Sequence, residues 1–262
     1  MKKFVSIVLL IAMCCTFMIG CGATEQAPSA PAGNDAPAAD APANDAPAAE
    51  GGEITIALIT NTTGDYAMYG VPVHNGAMIY FNEINAAGGI NGKQLKVLEY
   101  DDKADGVESI NAFNLAMDKG ITGVLGSVLT GATIALADAT YEENMPQVTA
   151  SATAAGVTMI DPEDPNSEIR TNVFRSCFID PFQGEKMADY AVNVLGAKTA
   201  AVFFETGNDY SEGLKASFIE KAAELGLEVI AEEAFATGDK DFKAQMTNIA
   251  AKAPDVVFAP IY

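Results

Sequence analysis

The chain has 262 residues, 49% hydrophobic and 19% charged, which is enough for a packed core and for one large or two ordinary domains. Its 35 acidic residues outweigh 15 basic ones to give a formal charge of -20, a surface that repels phosphate backbones and excludes nucleic acid as a partner. The sequence holds no Gly-x-x-x-x-Gly-Lys-Ser/Thr phosphate loop, no Gly-x-Gly-x-x-Gly after the first strand, no His-Glu-x-x-His pair and no Gly-x-Ser-x-Gly elbow. No enzyme class and no cofactor is implied.

Residues 1–20 read as an export signal, with Lys2 and Lys3 as its charged region and Phe4 to Ile19 as an apolar run too short for a membrane span. Met18-Ile19-Gly20-Cys21 resembles the bacterial lipobox, which implies that Cys21 is lipidated, becomes the new N-terminus and holds the chain in membrane lipid on the extracytoplasmic face of the cell membrane. Residues 21–52 repeat Asp-Ala-Pro-Ala at 35–38, 40–43 and 45–48 without a large apolar side chain, and so read as a disordered tether. Cys14 and Cys15 leave with the signal. Cys177 is then the single cysteine of the folded part, excluding an internal disulfide there, and its apolar surroundings suit a small buried side chain.

From Glu53 the pattern is regular. A strand at 54–60 leads through the loop 61–69 to a helix from about Gly70 to Asn85 with Val73, Ala77, Phe81 and Ile84 on one face. Gly88-Gly89-Ile90-Asn91-Gly92 turns the chain into strand 94–100, which ends at Asp101-Asp102, a pair that either starts a turn or holds a cation. A second helix carries Val107, Ile110, Asn114 and Met117. Strand 121–126, a helix opened by Thr130-Gly131 and ended by Pro146, and a short fourth strand follow. After a polar surface loop at 156–172 come a strand or crossover at 172–178, helix 181–195, strand 198–204, helix 210–225, strand 228–235, helix 241–253 and strand 255–259. The second of these helices places Leu214, Phe218, Ala222 and Leu225 on one stripe.

Such alternation predicts an α/β protein of parallel sheets flanked by helices, in two Rossmann-like lobes at 53–172 and 173–262. The chain stops at Tyr262 directly after a strand, so the second lobe reads as incomplete.

Ligands of open α/β sheets bind at the carboxyl ends of the strands. Two hydroxyl-bearing loops fall there, Ser127 to Thr130 and Ser151 to Thr153. The first feeds a helix, whose free N–H groups and positive dipole end beside Thr130 suit a small anion such as a carboxylate. Thr130, Ser151 and Thr153 are the candidate floor. Tyr210 and Tyr262 follow strand ends of the second lobe and could close on a ligand from the opposite side. The lone His74 reads as a solvated helix side chain.

The segments Thr63-Gly64-Asp65-Tyr66-Ala67-Met68-Tyr69-Gly70, Phe81 to Lys93, Tyr100-Asp101-Asp102, Thr149 to Thr153, Asn172 to Arg175, Gln183-Gly184, Asn208 to Leu214 and Asp239 to Phe242 resemble, in collinear order, the leucine/branched-chain amino-acid-binding proteins of ABC transporters. The resemblance implies the type I periplasmic-binding-protein fold, two lobes joined by a hinge with a small-molecule ligand trapped between them, and ABC permease membrane subunits as partners. It implies that Thr130 holds the α-carboxylate, that the Ser151 carbonyl takes the α-ammonium, and that Thr153 contacts both. Tyr210 and Tyr262 become the closing tyrosines, and Tyr69 the aromatic beside the substrate side chain. An acidic partner for the ammonium is implied in a later segment, past Tyr262. The first-lobe disulfide of some members is absent, with Ala104 and Leu129 near its positions. Other readings are a receptor's sensing domain for a small amide or carboxylate, and a hydrolase using Ser151 or Thr130, against which stands the lack of a nearby base.

Overall fold

Strand β1 (Glu53–Thr60) shows why the sheet is parallel and covered on both sides. Ala57, Leu58, Ile59 and Thr60 are all fully buried, so inward and outward side chains alike meet helices, and the run is apolar without alternation. The computed structural model describes residues 51–164 and 166–262. The expected export signal, the expected lipidation site Cys21 and nearly all of the expected tether lie outside the described residues. Among the described residues no helix is long and apolar enough to cross a membrane.

The first sheet runs β2 (Gln94–Asp101), β1, β3 (Val124–Gly126), β4 (Gln147–Thr149) and β5 (Val173–Arg175), every pair parallel. The second sheet runs β7 (Glu228–Phe235), β6 (Thr199–Glu205) and β8 (Val256–Phe258), again parallel. The chain is therefore α/β, with two parallel sheets flanked by helices, as expected. Because β5 pairs with β4, the division expected between 172 and 173 falls inside the first sheet's hydrogen-bonded set. An apolar three-residue strand carries no mark of the sheet it joins.

Helix α1 (Ala67–Ala86) starts three residues before its predicted beginning, and Val73, Ala77, Phe81 and Ile84 form its half-buried inner face. Gly70 lets its first turn lie against the exit of β1, since a Cβ there would stand 1.9 Å from the Asn61 carbonyl oxygen. Helix α2 (Gly106–Met117) departs from expectation. It buries Ser109, Ala112, Phe113 and Ala116, while Val107 is 68% exposed. The small residues allow close packing on α3 (Thr130–Glu142), where a Cβ on Gly106 would come within 2.9 Å of the Ala135 Cβ, and so a small-residue face outcompetes the more apolar one.

The expected surface loop at 156–172 is largely exposed but not free-standing. Arg170 is only 4% exposed, donating to the carbonyls of Gly156 and Met159 and to Asp138, and Asn172 donates to the carbonyls of Thr140 and Met145 at 2.9 and 2.7 Å. Cys177 is half-buried rather than buried, its thiol donating to the Ala152 carbonyl at 3.4 Å. His74 is partly covered too, 2.6 Å from a Glu99 carboxylate oxygen.

In the second lobe α4 (Asp180–Asn193) and α5 (Asp209–Leu225) pack side by side on β6, and α6 (Lys243–Lys252) covers its other face. Leu214, Phe218 and Ala222 form the buried stripe of α5, with Leu225 half-buried. The α4–α5 contact is made through Gly184, where a Cβ would lie 2.4 Å from Ser217 Oγ and 2.8 Å from the Phe218 backbone nitrogen. Gly184→Ala is therefore expected to destabilise the protein by about 1–3 kcal/mol through overpacking, read as a lowered urea midpoint; an unchanged midpoint would mean that the helices separate without cost.

Candidate functional site

Parallel pairing brings Thr60, Gly126, Thr149 and Arg175, the last residues of β1, β3, β4 and β5, to one edge of the first sheet. The loops that leave this edge are fixed from behind. Asp101 accepts from the N–H groups of Thr62, Thr63 and Lys103 at 2.9, 3.3 and 3.1 Å. Burial pushes its carboxyl up, but these bonds and that of the Thr63 hydroxyl outweigh it and hold the group below the usual carboxylate range. Asp102, fully buried, accepts from Ser109 Oγ at 2.8 Å, from the Ala104 N–H at 3.0 Å and from Ser127 Oγ. The pair ties the edge together, and among the described residues no group of three or more acidic, His or Cys side chains could hold a metal ion.

The loop after β3 is locked carbonyl by carbonyl. Gly126, Ser127 and Val128 give their carbonyl oxygens to Gln147 Nε2, Thr149 Oγ1 and Ser151 Oγ at 2.8, 2.7 and 2.8 Å. What remains for the cleft is the start of α3. Its N-cap, Leu129, makes no side-chain cap bond and its first turn carries no acidic residue. The Thr130 N–H donates to Tyr262 Oη at 3.3 Å, and Thr130 Oγ1, buried, has no partner. An uncapped helix start with a buried unpaired hydroxyl is an anion cradle.

Ser151 gives its hydroxyl to the Val128 carbonyl and its N–H to Thr149 Oγ1, so its side chain is structural. Thr153 is 5% exposed with an unpaired Oγ1, and its carbonyl accepts from the Asp180 N–H at 3.0 Å. Asp180 is 1% exposed and neither carboxylate oxygen makes a hydrogen bond to the protein. Burial pushes its pKa up to about 6, and the neighbouring Thr153 hydroxyl and Arg175 charge offset only part of that rise. Arg175 is itself held by the Ala152 carbonyl and Thr158 Oγ1, both at 3.0 Å.

Aromatic rings complete the wall. Tyr262 stacks on Tyr210 with centroids 4.5 Å apart and meets Tyr66 and Tyr69 edge-on at 5.8 and 5.7 Å. Burial pushes the Tyr262 phenol up to about 12 and raises Tyr210 in the same direction, so both phenols stay neutral. Tyr69, Thr130, Tyr210 and Tyr262 thus come together directly, and Ser151 and Thr153 border the same loop. The expectations missed Tyr66 and Asp180. Tyr66 sits in the aromatic segment with Tyr69, a signal that was available. Asp180 reads in sequence as an ordinary acidic residue in a helix's first turn, and nothing local marks it as buried.

The arrangement is chemically two-ended: the Thr130 hydroxyl and the α3 start suit an anionic group, the Asp180 carboxyl a cationic one.

The sequence profile of the family described as periplasmic binding protein matches residues 53–260. The chain is 34% identical to the Leu/Ile/Val-binding protein BraC3 of Rhizobium johnstonii, over 79% of this chain and 54% of that protein. It is 31% identical to a leucine-, isoleucine-, valine-, threonine-, and alanine-binding protein of Pseudomonas aeruginosa, over 75% of this chain and 50% of that one. The crystal structure of the branched-chain amino acid transporter substrate binding protein LivJ from Streptococcus pneumoniae, in complex with isoleucine, superposes with a TM-score of 0.71 at 32% identity, covering 80% of this chain and 57% of that one. The leucine binding protein LivK from Thermotoga maritima superposes at 0.70 and 32% identity, covering 79% and 55%. The chain spans about half the length of the curated relatives it matches.

A carboxyl raised in the fold keeps its proton there over a pH range in which the unfolded chain has lost it. Stability therefore falls as pH rises from the ordinary carboxylate range to about 6, and is level above. Urea unfolding of wild type and Asp180→Asn at pH 4 to 8 is expected to show wild type losing ground to the variant up to pH 6 and none beyond. A constant difference across that range would contradict the buried, unpaired carboxyl.

Proposed function

The chain belongs to the periplasmic binding protein family, and from that membership we propose that it captures a branched-chain or related amino acid between its two lobes and hands it to an ABC permease. The observation that carries the reading is a set of buried polar atoms without hydrogen-bond partners: the Thr130 hydroxyl at an uncapped helix start, and the Thr153 hydroxyl with the Asp180 carboxyl. An amino-acid zwitterion satisfies both, and each buried polar atom it pairs recovers a desolvation cost already present in the fold. The rings of Tyr66 and Tyr69 offer an apolar, weakly polarised seat for an aliphatic side chain beside the α-carbon. The names of the relatives and the isoleucine in the LivJ structure support the same ligand class.

Closure is the mechanism. Tyr210 and Tyr262 belong to the second lobe, and Tyr262 already reaches the Thr130 N–H of the first. A ligand that contacts both lobes shifts the open–closed equilibrium by its difference in affinity for the two forms, with no bond chemistry. No residue is poised for catalysis among those once considered as nucleophiles, since the Ser151 hydroxyl donates to a backbone carbonyl and the Thr130 hydroxyl meets no base. In this reading Cys21, lipidated, anchors the protein on the extracytoplasmic face of the membrane and residues 21–52 hold the lobes away from the lipid.

Thermal melting with L-leucine, L-isoleucine and L-valine tests the reading. At about a hundred times its dissociation constant a ligand stabilises by roughly 2.7 kcal/mol, a rise of several degrees. Thr153→Ala and Tyr210→Ala are each expected to weaken binding by about tenfold or more, equivalent to ~1.4 kcal/mol. No rise with any of the three amino acids, or full affinity in both variants, would overturn it.

A further inference from the structure

Beside Asp180 a cavity of about 700 Å³ opens between α3 with the segment 154–163 on one side and the start of α4 with the length of α5 on the other. It shares Asp180 with the amino-acid cradle, and none of Tyr69, Thr130, Ser151, Thr153, Tyr210 or Tyr262 lines it. Its charge is one-sided. The two lysines on its wall are already engaged, Lys215 with Glu212 at 2.6 Å and Lys221 with Glu224 at 2.7 Å. Glu163, Asp180, Glu185, Asp209 and Glu220 face the same space, and none of them stands in an ion pair among the described residues.

Asp180 makes this more than a solvated acidic surface. It is buried, both its oxygens lack a hydrogen-bond partner, and Oδ2 points at Gly213 on the cavity wall, where a Cβ would stand 3.2 Å away. A side chain at position 213 would crowd that oxygen. A charged oxygen so placed costs free energy unless a cation meets it. The carboxylates do not converge on a point, and no group among the described residues could hold a metal ion, so the matching cation is extended and organic. Ile134, Ala154, Pro162 and Pro181 supply apolar surface between the acidic groups, suited to methylene groups.

We propose that this cavity binds a linear alkyl diamine, with one ammonium on Asp180, the methylene chain along the apolar wall and the second ammonium on the outer carboxylates of Glu185 and Glu220. The site meets the amino-acid cradle at Asp180, while Glu185 and Glu220 belong to the cavity alone.

Isothermal titration of the chain with 1,4-diaminobutane and 1,5-diaminopentane tests it, beside L-leucine on the same preparations. Saturable binding of one diamine per chain is expected, weakened at least tenfold in the Glu185→Gln/Glu220→Gln double variant, whose leucine affinity is unchanged. The double variant Glu142→Gln/Glu232→Gln, at exposed positions away from the cavity, is expected to bind the diamine like wild type. Asp180→Asn should weaken it as well. Absence of saturable diamine binding at millimolar concentration would overturn the site. So would equal binding by wild type and the cavity double variant, or an equal loss in both double variants, which would mean diffuse attraction by the net charge of -20. Failure with leucine alone would bear on the amino-acid cradle and leave the diamine result standing.

Discussion

A buried carboxylate sets the geometry from which the site follows. Asp102 is inaccessible to solvent and gathers Ser109 from α2, the turn at Ala104 and Ser127 from the loop after β3. A polar group buried in that position has to be hydrogen-bonded, and satisfying it pins three segments to the end of β2. With Ser127 fixed, the side chains of Gln147, Thr149 and Ser151 can take successive loop carbonyls. The loop then has one conformation, and α3 must begin at Thr130 with its N–H groups directed into the cleft. Preorganisation of this kind lets an anion be bound without an ordering cost at the moment of binding.

The two ends of the cleft are distinguished by charge placement on helix starts. The first turn of α3 has no acidic side chain, whereas the first turn of α5 carries Asp209 and Glu212 and that of α4 carries Asp180. In the proposed reading a carboxylate is thus steered to α3 and an ammonium toward Asp180, and a ligand turned end for end would meet like charge at both. Tyr262 reports on this arrangement. Its hydroxyl lies on the Thr130 N–H, the atom that the carboxylate of a bound amino acid would use, while its ring stays stacked on Tyr210. The same residue can therefore yield its hydrogen bond and keep its aromatic contacts as the cleft fills.

Much of this was legible in the sequence, for identifiable reasons. Period and turn residues located the helices and strands because parallel strands buried on both faces are unbroken apolar runs, and because Gly226 and Asn208 punctuate α5 as they do in most helices. Strand-end position alone pointed to Thr130, Ser151 and Thr153 past strands of the first sheet and to Tyr210 and Tyr262 past strands of the second. What could not be read was whatever depends on non-local packing. The inner face of α2 puts Phe113 into the core and small residues against α3, a close approach that no local pattern reveals. Arg170 and Asp180 look like surface residues until distant segments cover them. β5 joins the first sheet by pairing that three residues cannot announce.

The most direct test of the account is a crystal structure of the chain grown with L-isoleucine. The account predicts one ligand in the cleft, its carboxylate on the Thr130 N–H and hydroxyl and its ammonium toward Thr153, with the Tyr262 hydroxyl displaced from the Thr130 nitrogen. A ligand ordered elsewhere, with the Thr130 N–H still donating to Tyr262, would contradict it.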